Sequence, residues 1–213
     1  MNAPLSELEV EPTVAATLFG ERLEVVRQYT ADLAQYGEEL GLIGPLELPR
    51  LWTRHVINSG LLAPLLVRDG RVGDIGSGAG LPGIVLAAAR PDVTMILIEP
   101  MERRTDWLRA EADRLRLTNV EVVRARAEEA EINPWLDQVT ARAVSALSKL
   151  IPLTVPLVKT GGELLFLKGA RVEAEVEAAR KVIARNHLID VQVIELGGGL
   201  VEETTRVFRA TVD

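Results

Sequence analysis

Hydrophobic residues follow two different spacings along this chain. Up to about residue 66 they recur every three or four positions, which predicts helices over 13–41 and 48–66. From residue 71 onward, short apolar runs alternate with amphipathic stretches, and the run from Val93 to Ile98 is almost uninterrupted. Such a run is typical of a strand buried on both faces of a parallel sheet. The chain therefore divides near residue 68 into a helical segment and an alternating region.

The alternating region predicts a doubly wound sheet. Its strands are predicted at 71–75, 93–98, 120–123, 139–144, 164–167, 189–196 and 205–212, and its helices at 82–90, 102–115, 147–158 and 172–186. This alternation indicates an α/β fold with a mostly parallel sheet. The loop around 197–199 is too short for a crossover helix, so we expect the last strand to run antiparallel to its neighbour. We predict one compact unit, with residues 1–68 as a helical cap packed on the sheet and residues 69–213 as the main domain.

Composition removes several classes of protein and site. The 213 residues are 47% hydrophobic and include no cysteine, which excludes disulfide scaffolds, thiolate zinc sites, iron–sulfur clusters and cysteine nucleophiles. No apolar run approaches the roughly 18 residues that span a bilayer. The acidic start, Met1 to Glu7, lacks the basic and then apolar order of a signal peptide. We therefore expect a cytoplasmic protein with no membrane partner and no metal site.

The negative charge is confined to one part of the sequence. Residues 1–49 contain 9 acidic and 2 basic residues, whereas residues 50–213 contain 22 of each. A protein that binds nucleic acid without sequence preference normally has a basic excess over the whole domain. The balance argues against that class but leaves room for a local basic patch in the second part.

The densest local signal is a glycine-rich turn between the first strand and the helix after it. Glycine lets the backbone turn sharply and lets a ligand approach without a Cβ in the way. Gly78, Gly80 and Gly83 fit the G-x-G-x-x-G fingerprint of dinucleotide sites. Gly76, Gly78 and Gly80, preceded by Asp74, fit the G-x-G-x-G pattern of S-adenosylmethionine sites. The turn predicts an adenosine cofactor but leaves both cofactors open.

Residues after the next strands narrow this choice. Glu99 ends the second strand, where a carboxylate can accept both ribose hydroxyls of either cofactor. Ala127 and Glu128 follow the third strand, where methyltransferases place a backbone amide and an acidic side chain beside the adenine. A dehydrogenase needs a proton-transfer group near the nicotinamide, yet the sequence has no Tyr-x-x-x-Lys and His55 precedes the sheet. Together with the antiparallel final strand, these features favour S-adenosylmethionine.

Residues and motifs that the sequence lacks reduce the number of possible methyl acceptors. Without cysteine, a pyrimidine C5 cannot be methylated through a covalent thioether. The fourth strand ends in Ala141-Arg142-Ala143-Val144 rather than in the Asn/Asp-Pro-Pro-Tyr/Phe motif of enzymes that methylate exocyclic amines. A purine ring nitrogen carries a free lone pair and needs positioning rather than a general base. We predict that Arg142, at this strand end, positions the acceptor or the cofactor.

Further basic residues lie at the same predicted edge of the sheet. Arg103 and Arg104 open the helix after Glu99, where positive charge opposes the helix dipole. Phosphate contact would explain them, and so would pairing with neighbouring carboxylates. Lys168 ends the fifth strand and could reach substrate RNA or simply be solvated.

Several short motifs together resemble one protein family. In chain order they are Arg54 to Ser59, Asp74 to Gly83, Glu102-Arg103-Arg104, Arg126 to Glu129, Arg142-Ala143 and Leu167-Lys168-Gly169. Over about residues 20–210 the chain is similar to the bacterial small-subunit ribosomal RNA guanine-N7 methyltransferases, once called glucose-inhibited division protein B. Two positions depart from the family pattern: Asn58 stands where an Asp is frequent, and Gly41 to Gly44 replace an Asn-Leu-Thr run.

The resemblance implies a fold, an activity and a set of residues. The fold would be the Rossmann-like fold of class I S-adenosylmethionine-dependent methyltransferases, and the activity methyl transfer to N7 of one guanine in 16S rRNA. The partner would be 16S rRNA or the small-subunit ribosomal particle, and we expect a monomer. A nicotinamide-dependent oxidoreductase, or a methyltransferase acting on another RNA or a small molecule, is the alternative.

The family motifs also assign roles by position. They imply cofactor contacts at Gly76, Leu81, Ala127, Glu128 and Arg142, with Glu99 at the ribose, and the glycine-rich turn adds Gly78 and Gly80. They imply contacts with substrate RNA at His55, Arg103, Arg104 and Lys168.

Overall fold

A single sheet forms the centre of the computed structural model, which describes residues 8–213. The predicted absence of a signal peptide concerns residues 1–7, which lie outside the described residues. The strands are β1 (Arg71–Ile75), β2 (Thr94–Ile98), β3 (Val120–Val123), β4 (Leu136–Arg142), β5 (Val158–Lys168), β6 (Leu188–Leu196) and β7 (Thr205–Val212). Their spatial order is β3-β2-β1-β4-β5-β7-β6. Strands β1 to β5 pair in parallel, and β7 pairs antiparallel with both β5 and β6. The predicted sheet, with its antiparallel last strand, is confirmed.

Helices cover both faces of this sheet. They are α1 (Val14–Phe19), α2 (Leu23–Tyr36), α3 (Asn58–Gly60), α4 (Gly83–Ala89), α5 (Glu102–Arg114), α6 (Leu147–Thr154) and α7 (Val172–Arg185). A π-helix over Leu51–Ile57 leads directly into α3. Within residues 8–213, no helix has the length and apolar character that crossing a membrane requires.

The two faces of the sheet bury separate cores. Successive strand side chains point to opposite faces, so Leu97 and Leu165 belong to one core while Ile96 and Phe166 belong to the other. The first core also contains buried residues of α1, α2, the π-helix, α4 and α5, and the second contains those of α6 and α7. The N-terminal helices therefore form a cap on the sheet, as expected. The division of the chain at residue 68 stays a prediction.

The N-terminal helices are more interrupted than their hydrophobic spacing predicts. The single helix expected over 13–41 is broken at Gly20, whose φ is +49°, and ends at Tyr36. The helix expected over 48–66 is instead a series of short helical segments that includes the π-helix. Apolar spacing identifies the buried side of these segments, but it does not distinguish i→i+4 from i→i+5 hydrogen bonding.

The boundaries of β4, α6 and β5 also differ from those predicted. Strand β4 begins three residues earlier than expected and ends at Arg142, because Ala143 has a φ of +55° and leaves the strand conformation. Helix α6 ends at Thr154 rather than 158, and β5 begins at Val158 and continues through the two glycines expected to close that helix. Despite these shifts, Arg142 and Lys168 stay at the carboxyl ends of their strands.

This topology brings the predicted site residues to one edge. The chain winds from β1 to β2 and β3 in one direction, and then from β4 to β5 in the other. In folds of this kind, ligands bind beyond the carboxyl ends of the strands where the direction of winding reverses. The reversal here lies between β1 and β4, which carry the glycine-rich turn and Arg142.

Candidate active site

The turn after β1 adopts a backbone conformation that favours glycine. Gly76, Gly78 and Gly80 have φ angles of +66°, +56° and +102°. A side chain in the left-handed region costs roughly 1–2 kcal/mol. A Cβ on Gly76 would also lie 3.0 Å from Val144, whereas a Cβ on Gly78 would lie 3.7 Å from the Gly76 carbonyl oxygen and meet nothing closer. The space next to Gly78 is therefore open to a ligand.

Two buried side chains hold this turn in place. The Tyr29 hydroxyl of α2 and the Trp107 indole N–H of α5 both donate to the Ala79 carbonyl oxygen, at 3.0 and 2.8 Å. Burial raises the pKa of Tyr29 well above its usual value, so the hydroxyl stays protonated and remains a donor. Leu81, predicted to contact the cofactor, has its side chain buried in the same core. The N-terminal cap thus helps fix the glycine-rich backbone.

Asp74 lies beneath the turn and is fully buried. One carboxylate oxygen, Oδ2, accepts the Gly83 N–H at 3.0 Å, and the Asp74 carbonyl oxygen accepts the Ser77 hydroxyl at 2.9 Å. The other carboxylate oxygen, Oδ1, is buried with no hydrogen-bond partner in residues 8–213. Burial raises the pKa of Asp74 to about 7. A buried oxygen of this kind is an unused acceptor next to the candidate cofactor site.

Glu99 links β2 to the turn. Its side chain is 2% exposed, and its two carboxylate oxygens accept the N–H groups of Gly78 and Met101, both at 3.0 Å. A carboxylate offers about four acceptor sites, so two remain for further donors. The Arg104 guanidinium lies 3.9 Å from the same carboxylate, which confirms the pairing that was one of the two explanations for its position. Arg103 is exposed at the start of α5.

The loop after β3 begins at the same edge of the sheet as Glu99. Ala127 is buried and opens a short 3-10 helix over Ala127–Glu129, and Glu128 is exposed. Because β3 is next to β2 in the sheet, this loop follows the carboxyl end of the strand beside the one that leads to Glu99. The predicted contacts of Ala127 and Glu128 with the adenine stay predictions.

Arg142 ends β4, the strand next to β1, and is bound to the cap. Its guanidinium donates to the Arg54 carbonyl oxygen at 3.2 Å and to His55 Nδ1 at 2.6 Å. His55 Nε2 in turn lies 2.5 Å from a carboxylate oxygen of Glu47. His55 is thus placed beneath Arg142, with its side chain 12% exposed and both ring nitrogens occupied. The predicted contact between His55 and RNA stays a prediction.

A cavity of about 510 Å³ opens beside Arg142. Arg54, Asn58 and Lys168 also line it. The Lys168 side chain is only 10% exposed, and its ammonium donates to the Ser145 carbonyl oxygen at 2.7 Å and to Glu175 at 2.9 Å. This lysine therefore fixes the wall of the cavity as well as adding positive charge. Asn58, the residue that departs from the family pattern, donates to the Thr205 hydroxyl at 2.6 Å.

Sequence reasoning missed several residues that build this site. Glu47, Tyr29, Trp107 and Glu175 carry no motif, and they reach the site only through the tertiary fold. Each is more than six residues from its partner in the chain, so periodicity gives no signal for the contact. The only signal for such contacts in the sequence is a polar residue on the apolar face of a predicted helix, such as Tyr29, because a buried polar group needs a hydrogen-bond partner.

Comparison with known proteins decides the family. A family model described as rRNA small subunit methyltransferase G matches residues 22–204. The chain belongs to this family. Two relatives named ribosomal RNA small subunit methyltransferase G, from Clavibacter michiganensis subsp. michiganensis and Leifsonia xyli subsp. xyli, are 67% and 60% identical to it. Both alignments cover 96% of the chain and 97% and 98% of the relatives. The resemblance drawn from the motifs is confirmed.

Solved structures support the fold of this rRNA small subunit methyltransferase G family member. The M. jannaschii protein TYW2 in complex with AdoMet has a TM-score of 0.58 and 19% identity, covering 76% of each chain. The tRNA (m1A58) methyltransferase TrmI from Aquifex aeolicus has a TM-score of 0.57 and 16% identity, covering 73% of this chain and 68% of its own. The fold is therefore the Rossmann-like class I methyltransferase fold that was predicted. Family membership also decides between the two cofactors that the glycine-rich turn left open, in favour of S-adenosylmethionine.

Proposed function

We propose that this protein transfers a methyl group from S-adenosylmethionine to N7 of a guanine in 16S rRNA. One observation carries the proposal: in a member of the rRNA small subunit methyltransferase G family, the glycine-rich turn, Glu99 and Arg142 converge where the winding of the sheet reverses. The enzyme class and the methyl donor follow from the family. The guanine and the roles of individual residues are our inference.

The residues around the turn fit the proposed cofactor. The open space at Gly78 leaves room for a ligand against bare backbone, with Gly76, Gly80 and Leu81 shaping the same turn. The two remaining acceptor sites on Glu99 suit the ribose hydroxyls, and the free Asp74 oxygen suits a cationic amino group. Ala127 and Glu128 would border the adenine. When bound, S-adenosylmethionine supplies a methyl group on a positively charged sulfur.

The chain's own residues position the acceptor rather than activate it. Guanine N7 already carries a lone pair, so no general base is required, and orientation can supply most of the rate enhancement. Arg142 lines the cavity beside β4, and its guanidinium can hold a phosphate or a carbonyl oxygen there. We assign Arg103, Arg104 and Lys168 to the phosphate backbone of the RNA, and His55 to the same side of the site.

The substrate is 16S rRNA, either free or within the small-subunit particle. Positive side chains at the cavity, including Arg54, Arg142 and Lys168, provide a local basic patch in a chain whose overall charge is −7. Local rather than general positive charge favours one RNA site over non-specific binding. We infer that the protein acts as a monomer in the cytoplasm.

The product of the reaction tests this proposal. Purified protein would be given S-adenosylmethionine with a labelled methyl group and, separately, free 16S rRNA or assembled small subunits from cells that lack the gene. We expect 7-methylguanosine at one position of 16S rRNA in at least one of the two substrates. Label on an exocyclic amine, on another RNA or nowhere would refute the assignment.

Arg142→Ala tests the proposed positioning role. Loss of an orienting group can cost about a hundredfold in rate, so we expect the methyl-transfer rate to fall by about that factor. Arg209→Ala is the matched control, because Arg209 is likewise a strand arginine with side-chain hydrogen bonds, to Glu163, but neither of these two residues lines the cavity beside Arg142. Near-normal turnover by Arg142→Ala would remove Arg142 from the mechanism.

A further inference from the structure

A chain of two hydrogen bonds connects the cap to Arg142. Glu47 lies just before the 3-10 helix Leu48–Arg50, His55 lies in the π-helix, and Arg142 ends β4. His55 Nε2 is 2.5 Å from Glu47 Oε2, and His55 Nδ1 is 2.6 Å from an Arg142 Nη. The three residues come from separate segments, so this contact exists only in the folded protein.

The chemistry of the two partners fixes the state of the imidazole. A guanidinium can only donate, so His55 Nδ1 must present a lone pair to Arg142. An ionised carboxylate can only accept, so His55 Nε2 must carry the proton. Both conditions hold together only for neutral His55 with its proton on Nε2. Glu47 is therefore the group that selects the tautomer to which Arg142 can bind.

The charges around His55 favour this neutral state. Burial and the neighbouring Arg142 lower the pKa of His55, and Glu47 opposes them in part. Arg54 also lowers the pKa of His55, and its side chain lies 3.8 Å from Glu47. Arg50 donates to both Glu47 oxygens, to Oε1 at 2.7 Å and to Oε2 at 3.1 Å. Although burial acts to raise the pKa of Glu47, its hydrogen bonds to His55 and Arg50 lower it overall, so Glu47 is ionised at neutral pH.

We propose that Glu47 is a positioning residue for methyl transfer, which holds the Arg142 guanidinium against the cavity by fixing the tautomer of His55. The inference rests on the proposed function, since it assigns Arg142 to the methyl-transfer site. It extends that function to Glu47, which does not line the cavity beside Arg142. Protonation of His55 would put an N–H opposite the Arg142 N–H groups and would release the guanidinium.

The tautomer of His55 can be measured without an activity assay. The chain has two histidines, and His187 is exposed, so the ¹⁵N NMR spectrum of histidine-labelled protein contains a solvent-exposed ring for comparison with His55. In the wild-type protein at neutral pH we expect His55 to be neutral with its proton on Nε2. In Glu47→Gln, whose amide can donate as well as accept, we expect a mixture of tautomers. A wild-type His55 that is charged at neutral pH, or protonated on Nδ1, would overturn the proposal.

Kinetics tests whether the tautomer matters for methyl transfer. We expect Glu47→Gln to lower the single-turnover rate about tenfold, a loss on the scale of a small displacement of a positioning group. The affinity for S-adenosylhomocysteine and the melting temperature should stay close to wild type. Glu11→Gln is the matched control, because Glu11 forms a similar two-bond pair with Arg27 on the cap. Glu47→Asp should recover part of the rate, since it keeps an acceptor-only group.

The pH profile separates positioning from a general structural defect. The rate of the wild-type enzyme should fall as the pH decreases through the pKa of His55, because the charged ring releases Arg142. Glu47 raises the pKa of His55, so its replacement should move this acid limb to lower pH. An acid limb that stays in place or moves to higher pH would contradict the proposal.

The outcomes distinguish this inference from the function on which it rests. If the wild-type protein makes no 7-methylguanosine, both fall. If the wild type makes it and Glu47→Gln is equally fast, the proposed function stands and the positioning role of Glu47 is refuted. A slow Glu47→Gln variant with mixed tautomers, unchanged cofactor affinity and a shifted acid limb is the result that we expect.

Discussion

The absence of a side chain at Gly78 serves two purposes. It permits the backbone conformation of the turn, and it leaves space for a ligand. The φ of Gly78 is +56°, and a Cβ there would extend into space that the protein itself leaves open. We expect Gly78→Val to abolish binding of S-adenosylhomocysteine in calorimetry, since a branched side chain would both strain the turn and occupy the ligand's space.

Gly161 offers a matched control for that substitution. It also has a positive φ, +78°, and a Cβ there would meet nothing within 4 Å, but it lies near the start of β5, far from the carboxyl ends of the strands. Gly161→Val carries the backbone strain without the ligand clash, so it should melt at a lower temperature and still bind. Equal loss of binding in both variants would show that strain, not exclusion of the ligand, is responsible.

At the scale of elements, helix α2 acts on the site through one hydrogen bond. Tyr29 donates to the Ala79 carbonyl oxygen inside the glycine-rich turn. Removing a buried hydrogen bond costs about 0.5–1.5 kcal/mol. We expect Tyr29→Phe to lower the melting temperature slightly and to weaken S-adenosylhomocysteine binding several-fold, because the Ala79 carbonyl oxygen would keep only the Trp107 donor of α5.

Thr30, the next residue of α2, provides the comparison. Its hydroxyl is equally buried, but it donates to Val26 within the same helix. Thr30→Val should therefore affect stability without affecting cofactor affinity, as measured by calorimetry beside Tyr29→Phe. If the two variants bind S-adenosylhomocysteine equally well, the contact between Tyr29 and Ala79 has no role in the site.

The elements also show which features the sequence could predict. The sheet strands and the glycine-rich turn follow from local signals, namely apolar runs and residues needed for a positive φ. Once strand order is known, the carboxyl ends must share an edge, so Glu99 and Arg142 could be predicted to converge. The break at Gly20, the π-helix and the bonds from Glu47 to His55 could not, because they depend on packing between segments distant in the chain.

At the scale of the whole molecule, the cap and the sheet share one core. Buried residues of the cap, such as Leu33 and Trp52, pack in the same cluster as Leu97 and Leu165 of the sheet. Hydrogen bonds also cross between the two, from Gln138 on β4 to the Leu65 carbonyl oxygen and from Arg142 to His55. A cap joined in this way cannot detach without exposing one face of the sheet.

This shared core predicts that the cap and the sheet unfold together. Leu33 is fully buried, so Leu33→Ala should cost about 2–5 kcal/mol, whereas Leu46→Ala should cost little because Leu46 is 77% exposed. In native-state hydrogen exchange, Leu33→Ala should lower the protection of α2 and of β4 by the same free energy, since both open in one cooperative event. Loss of protection in α2 alone would show that the cap unfolds as a separate unit. The contact between His55 and Arg142 could then be lost while the sheet stays folded.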